Sequence, residues 1–347
     1  SSHNFSRSWR SKLHVWCTCC SLMRHPLVRG RLRVLHTQLL VRSGHRTPLQ
    51  ALSPEAFWTA TLPTREFLSR LDRAGNPRSG PRRRHGTTKT WGELTTRGAD
   101  EAFAVGRRLS RWLHEREGAH TDEWSKAVTV HASHDRRARR TARAVISGLN
   151  LADVRILVDT SQAGSFHVQN SGHLLQTAHE DLLKDAEARQ NAALELMEVL
   201  RIDQSELGDG HWTRLLDVVE SSLHAGLLPQ GSLSDTTWNA VFDAPCQLAG
   251  AVEVSSLPLL QMTLRVAVRA ARSDMEERAR IYVVPGFSLL CWARATGLSG
   301  ASSWPSPASG VLLETLADQA DNVFVRFWDP RDSWEFRPSW HTADGPV

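Results

Sequence analysis

The sequence lacks any long hydrophobic run. No stretch of about 18 uncharged apolar residues occurs in its 347 residues, so no membrane-spanning helix is predicted. Cysteine is scarce as well: five residues stand in an irregular arrangement, three of them clustered at Cys17, Cys19 and Cys20. An odd count without regular spacing argues against a disulfide framework. The cluster lacks a second ligand pair at zinc-finger spacing, so neither a metal nor a cofactor is predicted.

Acidic residues are absent from the first 50 positions, which contain nine Lys and Arg residues. The other 33 basic residues are outnumbered by 37 acidic ones, so the positive charge belongs to an N-terminal arm. Such an arm is either solvated or docks on nucleic acid, an anionic lipid surface or an acidic protein. The body of the chain is not basic overall, so nucleic-acid binding is expected only through the arm.

The basic residues of the arm are nearly all arginine, Lys12 being the one lysine, and serine is frequent. This acid-free composition is similar to that of mitochondrial presequences. We therefore expect a mitochondrial protein, with a cytoplasmic or secretory location as the alternative.

Hydrophobic patterning predicts alternating strands and helices, followed by a helical block and a second α/β stretch. The predicted strands are 33–41, 126–132, 154–158 and 281–284, the predicted helices are 95–117, 135–149 and 286–296, and a hairpin is predicted over 311–316 and 323–328. This order indicates an α/β fold with a mainly parallel sheet flanked by helices, an inserted helical cap subdomain and a C-terminal β-hairpin.

Four segments follow from this order. We predict a basic N-terminal arm over residues 1–32, an α/β core over 33–164 and 279–330, a helical cap insertion over 165–278, and an aromatic C-terminal tail over 331–347. The cap is expected at the carboxyl ends of the strands, where open parallel sheets bind ligands.

Several short motifs stand in this order along the predicted core. VRSGHRTP occupies positions 41–48 at the end of the first strand, LTTRG occupies 94–98, and VHASHDRRARRTARAVISGL occupies 130–149. IYVVPGFSL at 281–289 and ASG at 308–310 follow. Together these motifs resemble those of the histidine acid phosphatases, branch two of the histidine phosphatase superfamily. The first resembles that family's Arg-His-Gly-x-Arg-x-Pro signature, and the resemblance implies a histidine-phosphatase-like fold.

The resemblance also implies a site with four requirements: a nucleophilic histidine, arginines that hold the phosphoryl oxygens, a second histidine and an adjacent acid. The nucleophile position falls on Ser43, and we place the third clamp arginine at His131. The second histidine and the acid fall on Pro285 and Gly286. No catalytic residue is therefore predicted, and the chain is expected to be a pseudophosphatase.

The two arginines of the first motif are retained. Arg42 and Arg46 are candidates for binding an anion, or they pair with internal carboxylates or carbonyls. His45 is a remote candidate for a rescuing nucleophile because it stands two residues beyond Ser43 in the same segment.

Tryptophan is unusually placed in both tails. Trp9 and Trp16 stand in the arm, and Trp328, Trp334 and Trp340 stand at or beyond the end of the last predicted strand. Large aromatic side chains in polar, extended segments are typical anchors on a partner surface. We predict that both tails dock on other protein subunits of a large complex.

Three functions are therefore open. The leading hypothesis is a catalytically inactive structural or accessory subunit of a mitochondrial assembly, either an energy-transducing complex of the respiratory or ATP synthase type or a mitochondrial ribosome. The second is an active phosphomonoesterase with a rearranged site built on Ser43 or His45. The third is a module that binds an anionic metabolite without turnover.

Overall fold

Seven strands form one mixed sheet in the computed structural model. The structure describes residues 33–73, 90–117, 127–151, 154–159, 186–208, 212–251, 258–272, 276–296, 298, 304–317, 323–329, 337–339, 341–342 and 345–346. The strands are β1 Arg33–Arg42, β2 Val128–Ser133, β3 Arg155–Asp159, β4 Ala279–Val284, β5 Gly310–Ala317, β6 Val323–Asp329 and β7 Arg337–Ser339. Two short strands, β8 His341–Thr342 and β9 Gly345–Pro346, pair separately.

The sheet order is β3-β2-β4-β1-β5-β6-β7. The first four strands in this order run parallel, whereas β5, β6 and β7 are antiparallel to their neighbours. The predicted α/β class with a mainly parallel sheet is confirmed, and β5 and β6 form the predicted hairpin. Because β1 and β4 are adjacent and parallel, Arg42 lies level with Val284 at the carboxyl edge of the sheet.

Ten helices lie in the part of the chain that the structure describes. They are α1 Glu55–Ala60, α2 Arg65–Arg73, α3 Thr96–Glu117, α4 Arg136–Leu149, α5 Ala186–Leu200, α6 Gln204–Leu207, α7 Trp212–Ala225, α8 Asp235–Ala251, α9 Pro258–Ala271 and α10 Gly286–Ala295. None of the helices among these residues is long and apolar enough to cross a membrane.

Alternation along the strands supplies both faces of the sheet with apolar side chains. Leu39 and Val41 face α3 and α4 in one hydrophobic cluster, while Leu40 and Tyr282 face α9 and α10 in another. A third cluster joins α1 to α5, α7 and α8 around the buried Trp58. The inserted helices α5 and α7 therefore share a core with α1, while α8 and α9 also pack against the sheet.

Glycine permits a close backbone contact between α3 and α4. A Cβ at Gly106 would overlap the backbone carbonyl of Val145, and one at Gly148 would overlap that of Phe103. The chain leaves α4 through Asn150, whose φ of 56° ends the helix in the left-handed conformation. This contact fixes α4, whose first turn reaches the carboxyl edge of the sheet.

Candidate functional site

The segment after β1 is held by three other parts of the chain. The amide of Ser43 donates to the carbonyl of Val284 (3.1 Å), and the carbonyl of Ser43 accepts from Ala308 (3.4 Å). The amide of Gly44 donates to the hydroxyl of Thr141 on α4 (3.1 Å). The first sequence motif is thus a fixed loop at the carboxyl edge.

The LTTRG motif meets this loop because two glycines allow the backbones to touch. A Cβ at Gly44 would overlap the carbonyl of Gly98, and a Cβ at Gly98 would overlap the carbonyl of His45. The hydroxyl of Thr95 accepts from the amide of Gly98 (3.1 Å) and caps the start of α3. The two motifs form one local structure.

Arg42 points away from the sheet and binds an internal carboxylate. Its guanidinium forms a two-point ion pair with Glu220 on α7, with Nη2 2.5 Å from Oε2 and Nη1 against Oε1. Nη1 also donates to the carbonyl of Pro305, and the guanidinium carbon lies 5.1 Å from the ring centre of Trp304. Arg42 and Glu220 are both buried. Of the alternatives for Arg42, the structure therefore favours the internal carboxylate.

Arg46 also binds a carboxylate of α7, one helical turn before Glu220. Its Nη1 pairs with Oδ1 of Asp217, and Asp217 is also bound through Oδ2 by the guanidinium of Arg214 (3.0 Å) and the amide of Leu49 (2.9 Å). Positions 217 and 220 lie on one face of α7 because they are three residues apart. Both candidate anion-binding arginines are therefore paired with carboxylates of a single helix.

Glu220 is held ionised in this site. Burial alone would raise its pKa, but the charge and hydrogen bonds of Arg42, the charge of Arg46 and the hydrogen bond from Trp304 lower the pKa to about 2. The indole Nε1 of Trp304 lies 3.0 Å from Oε1. The carboxylate has strong donors on both oxygens.

Arg137, in the first turn of α4, is the third arginine at this edge, whereas the clamp arginine is predicted at His131. Burial and the positive charges of Arg46 and Arg42 lower the pKa of Arg137 to about 9. His131 instead lies inside β2, two residues before the strand ends, with its ring 5.3 Å from that of Tyr282. A side chain in the first turn of α4 reaches the edge, whereas one within β2 does not.

Arg137 differs in its hydrogen-bond partners from the other two arginines of α4 that lie near it, Arg136 and Arg140. Its Nε is buried and has no hydrogen-bond partner among the described residues. The adjacent Arg136 and Arg140 share the carboxylate of Glu93, with Arg136 Nη1 3.2 Å from Oε1. Arg136 and Arg140 therefore bind a structural carboxylate. Arg137 instead belongs to the strand-end cluster, by which we mean Arg42, Arg46, Arg137 and Arg214 with the carboxylates of Asp217 and Glu220.

His45 is turned away from Ser43 and is enclosed. Its Nε2 donates to the carbonyl of Ser221 (3.1 Å), and its Nδ1 lies 2.8 Å from the hydroxyl of Thr95. Burial lowers the pKa of His45 to about 4, so the ring is neutral near pH 7. The imidazole is used in packing α7 against the loop, and it offers no base to Ser43.

Pro285 and Gly286 connect β4 to α10, with Pro285 in extended conformation before the first helical turn. A Cβ at Gly286 would lie 2.6 Å from Nε of Arg42 and 3.1 Å from the ring of Trp304. The space that a side chain at 286 would need is filled by Arg42 in its present orientation.

The predicted docking residues are mostly beyond the described part of the chain. Trp9, Trp16, Trp334 and Trp340 lie outside the described residues, and Trp328 lies in β6, whose backbone pairs with β5 and β7. Among the described residues no group of three or more His, Cys, Asp or Glu side chains is placed to hold a metal ion. The cysteine cluster of the arm is outside this range.

Sequence reasoning missed Asp217, Glu220 and Trp304 as well as Arg137. The available signal for the two acids was their spacing on a segment rich in apolar residues, WTRLLDVVE at 212–220, since carboxylates buried on a core-facing helix need cationic partners. For Arg137 the signal was its place one residue into a helix that follows a strand end. Nothing in the local sequence marked Trp304.

The arrangement has the electrostatics of an anion site. The cluster of Arg42, Arg46, Arg137 and Arg214 carries four positive charges, against two negative charges on Asp217 and Glu220. The hydroxyl of Ser43 is the candidate nucleophile, and a serine hydroxyl needs an adjacent base to attack.

Known proteins with similar sequences or folds agree with this topology. The sequence profile of the histidine phosphatase superfamily (branch 2) matches residues 33–242. The phytase of Hafnia alvei in its apo form has 17% identity and a TM-score of 0.55, covering 85% of this chain and 84% of its own. The phytase of Klebsiella sp. ASR1 has 13% identity and a TM-score of 0.54, covering 86% and 83%.

A third similar structure comes from another group of phosphatases. The apo form of the Bifidobacterium longum multiple inositol polyphosphate phosphatase has 12% identity and a TM-score of 0.51, covering 90% of this chain and 89% of its own. No curated protein sequence matches the chain significantly. At these identities the structural similarity establishes the fold.

Proposed function

The chain belongs to the histidine phosphatase superfamily, branch 2, and we propose that it is a catalytically inactive member whose strand-end cluster stabilises the fold. One observation carries the proposal: Ser43, Pro285 and Gly286 occupy the positions that the family resemblance assigns to the nucleophile, the second histidine and the acid. Proline and glycine have no side-chain proton to give to a leaving group. Catalytic groups that act as a unit leave little rate when several are absent together.

The surroundings of Ser43 support the same proposal. The imidazole of His45 is committed to Ser221 and Thr95, so it does not serve as a base for the Ser43 hydroxyl. Arg42 and Arg46 are committed to Glu220 and Asp217. While α7 is in place, this pairing leaves neither arginine free to meet an external anion.

An assay of phosphomonoesterase activity tests the proposal. We expect no turnover of a generic aryl phosphate between pH 4 and pH 8 by the purified full chain, beside an active histidine acid phosphatase as positive control. Ser43→Ala and Arg46→Ala are the matched variants. Turnover by the wild-type chain that either variant abolishes would overturn the proposal and support the rearranged phosphomonoesterase.

For its cellular role we propose a structural or accessory subunit of a large assembly, with a mitochondrial complex as the leading candidate. The support comes from the sequence: the Arg- and Ser-rich arm, and tryptophans in both tails, including Trp16 and Trp334. A tail that only stays solvated does not require tryptophan side chains, so their presence favours contact with a partner.

Gentle fractionation of the source cells tests this role separately from catalysis. We expect the native protein in the mitochondrial fraction and in a particle far larger than its 38.7 kDa. Trp334→Ala combined with Trp340→Ala should release the protein from that particle, whereas the surface variant Leu194→Ala should not. A native protein that migrates as a free monomer outside mitochondria would contradict the role.

A further inference from the structure

One face of α7 contacts the end of β1 and the second half of the loop that follows it. Asp217 binds Arg46, Glu220 binds Arg42, and the carbonyl of Ser221 accepts from His45. The next turn adds His224, whose ring lies 5.7 Å from that of His45. These contacts come from positions on a single helical face, so α7 seals the strand-end cluster as a unit.

The carboxylate of Glu220 has the contacts that an oxyanion would make in an arginine site. Its two oxygens meet two nitrogens of one guanidinium, which is the parallel geometry in which arginine binds carboxylates and phosphates alike. The Trp304 indole donates a further hydrogen bond. An external tetrahedral anion would need the same donor atoms.

We propose that α7 is an intramolecular pseudosubstrate: Glu220 and Asp217 occupy the paired arginines of the strand-end loop, and an external oxyanion enters only when α7 is displaced. The proposal concerns access to the site, so it goes beyond the loss of catalysis and does not depend on it. It accounts for the charged contacts that α7 makes with the loop after β1, beside the apolar contacts that α8 and α9 make with the sheet.

Arg137 explains why an anion would still be attracted once α7 is displaced. Burial and the positive charges of Arg46 and Arg42 lower its pKa, and its Nε is buried without a hydrogen-bond partner among the described residues. Displacing Glu220 and Asp217 would leave several cations together at a partly buried edge. A doubly charged oxyanion compensates such a cluster better than water does.

The test removes the charge of Glu220 and measures binding of inorganic phosphate to the full chain. Glu220→Gln keeps the shape of the side chain and the acceptor for Trp304. We expect the variant to bind phosphate at least about tenfold more tightly than wild type, seen as a phosphate-dependent rise in melting temperature. Calorimetric titration gives the dissociation constants. Adding Arg137→Ala should remove the gain.

Glu277→Gln is the matched control. Glu277 is a carboxylate with a pKa lowered to about 2, bound by Arg280, and it precedes β4 at the opposite edge of the sheet. This variant loses a comparable ion pair without opening the strand-end loop, so its phosphate affinity should equal that of wild type. Equal gains in both variants would mean that general loosening, not α7, controls access.

Two further measurements keep the proposal falsifiable if Glu220→Gln does not fold. Glu220→Asp withdraws the carboxylate by one methylene and should also raise phosphate affinity. In the wild-type chain, phosphate that binds must displace α7, so amide hydrogen exchange over 212–225 should accelerate at saturating phosphate. Tight phosphate binding by wild type with unchanged protection of α7 overturns the proposal. Phosphatase turnover would instead overturn the proposed inactivity and leave this result standing.

Discussion

Arg42 and Glu220 stand 178 positions apart in the chain and form a buried two-point ion pair. One residue ends the first strand of the sheet, and the other lies on a helix of the insertion. The pair therefore ties two parts of the molecule together at the edge where parallel sheets bind ligands. Burying two charges is costly unless both stay paired, so each residue depends strongly on the other.

Removing one partner of this pair should be severe. Arg42→Met leaves the Glu220 carboxylate buried without its cation, and we expect a loss of about 3–5 kcal/mol in the free energy of unfolding. The double variant Arg42→Met with Glu220→Leu should recover most of that loss, because no charge remains uncompensated. Urea unfolding of both variants measures the coupling.

Arg111→Met is the control for this cycle, since Arg111 is exposed on α3. Its effect should stay within about 0.5 kcal/mol of wild type, as for ordinary surface substitutions. A loss at Arg42 no larger than at Arg111 would show that the ion pair contributes nothing to stability.

Arg137 should respond in the opposite way to Arg42. Its pKa is lowered to about 9 by burial and by the charges of Arg46 and Arg42, which means that its own charge is unfavourable in the folded chain. Arg137→Met keeps the length of the side chain and removes that charge. We expect a change between zero and about 1 kcal/mol in the stabilising direction, measured by urea unfolding. A loss comparable to that of Arg42→Met would reveal a stabilising anionic partner.

The fold was predictable from the sequence because its signals are local. The buried run at Arg33–Arg42, the alternation at Val128–Ser133 and the Thr95 cap each specify an element without reference to distant residues. The order of strands and helices then restricts the topology to a few sheets. Register at the motif loop depends on glycine contacts such as Gly44 against Gly98, which are visible only in three dimensions.

The site was only partly predictable, because its partners come from an inserted helix. Nothing near Arg42 in the sequence indicates that Glu220 will reach it, and the same motif would suit an external phosphate. The clamp arginine is predicted at His131 because strand β2 is expected to deliver it, and the structure places Arg137 beyond that strand, in the first turn of α4. A residue's level along a strand decides whether it reaches the edge.

Acid should destabilise the fold in two stages, and His45 contributes to the first together with His36 and His224, whose pKa values burial also lowers. Burial lowers the pKa of His45 from 6.5 in the ordinary state to about 4 in the folded chain. Between these pH values His45 is protonated in the unfolded chain but not in the folded chain. The free energy of unfolding is therefore highest above pH 6.5 and decreases as the pH falls towards 4. His45→Gln should flatten this part of the curve of unfolding free energy against pH. An unchanged slope in the variant would exclude a contribution of His45.

The second stage belongs to Glu220, whose pKa falls from 4.5 to about 2 on folding. Its contribution is complete above pH 4.5 and disappears as the pH falls towards 2, because the carboxylate must then accept a proton and release Arg42. Glu220→Gln should be less stable than wild type at pH 6 and should lose less stability than wild type between pH 4.5 and 2. Glu277→Gln should show the same pattern through its separate pair with Arg280.

The contact between α3 and α4 should tolerate no side chain at either glycine. Gly148→Ala places a Cβ against the carbonyl of Phe103, and backbone of a packed helix cannot move aside as a flexible side chain does. We expect a loss of about 3 kcal/mol or an insoluble protein, at the upper end of overpacking effects. Ser147→Ala, one position earlier on the same helix, should remain near wild type in thermal unfolding. Full stability of Gly148→Ala would require the two helices to lie farther apart.

Gly286 offers a test of the same kind in which the obstacle is a side chain. A Cβ there would lie 2.6 Å from Nε of Arg42, so Gly286→Ala forces the guanidinium to shift away from Glu220. We expect a loss of about 1–3 kcal/mol in the wild-type background. In the Arg42→Met, Glu220→Leu background the obstacle is gone, and the same substitution should cost less than about 0.5 kcal/mol in urea unfolding. Equal losses in the two backgrounds would mean that the new Cβ clashes with Trp304 rather than with Arg42. The orientation of Arg42 would then not be the reason that position 286 excludes a larger residue.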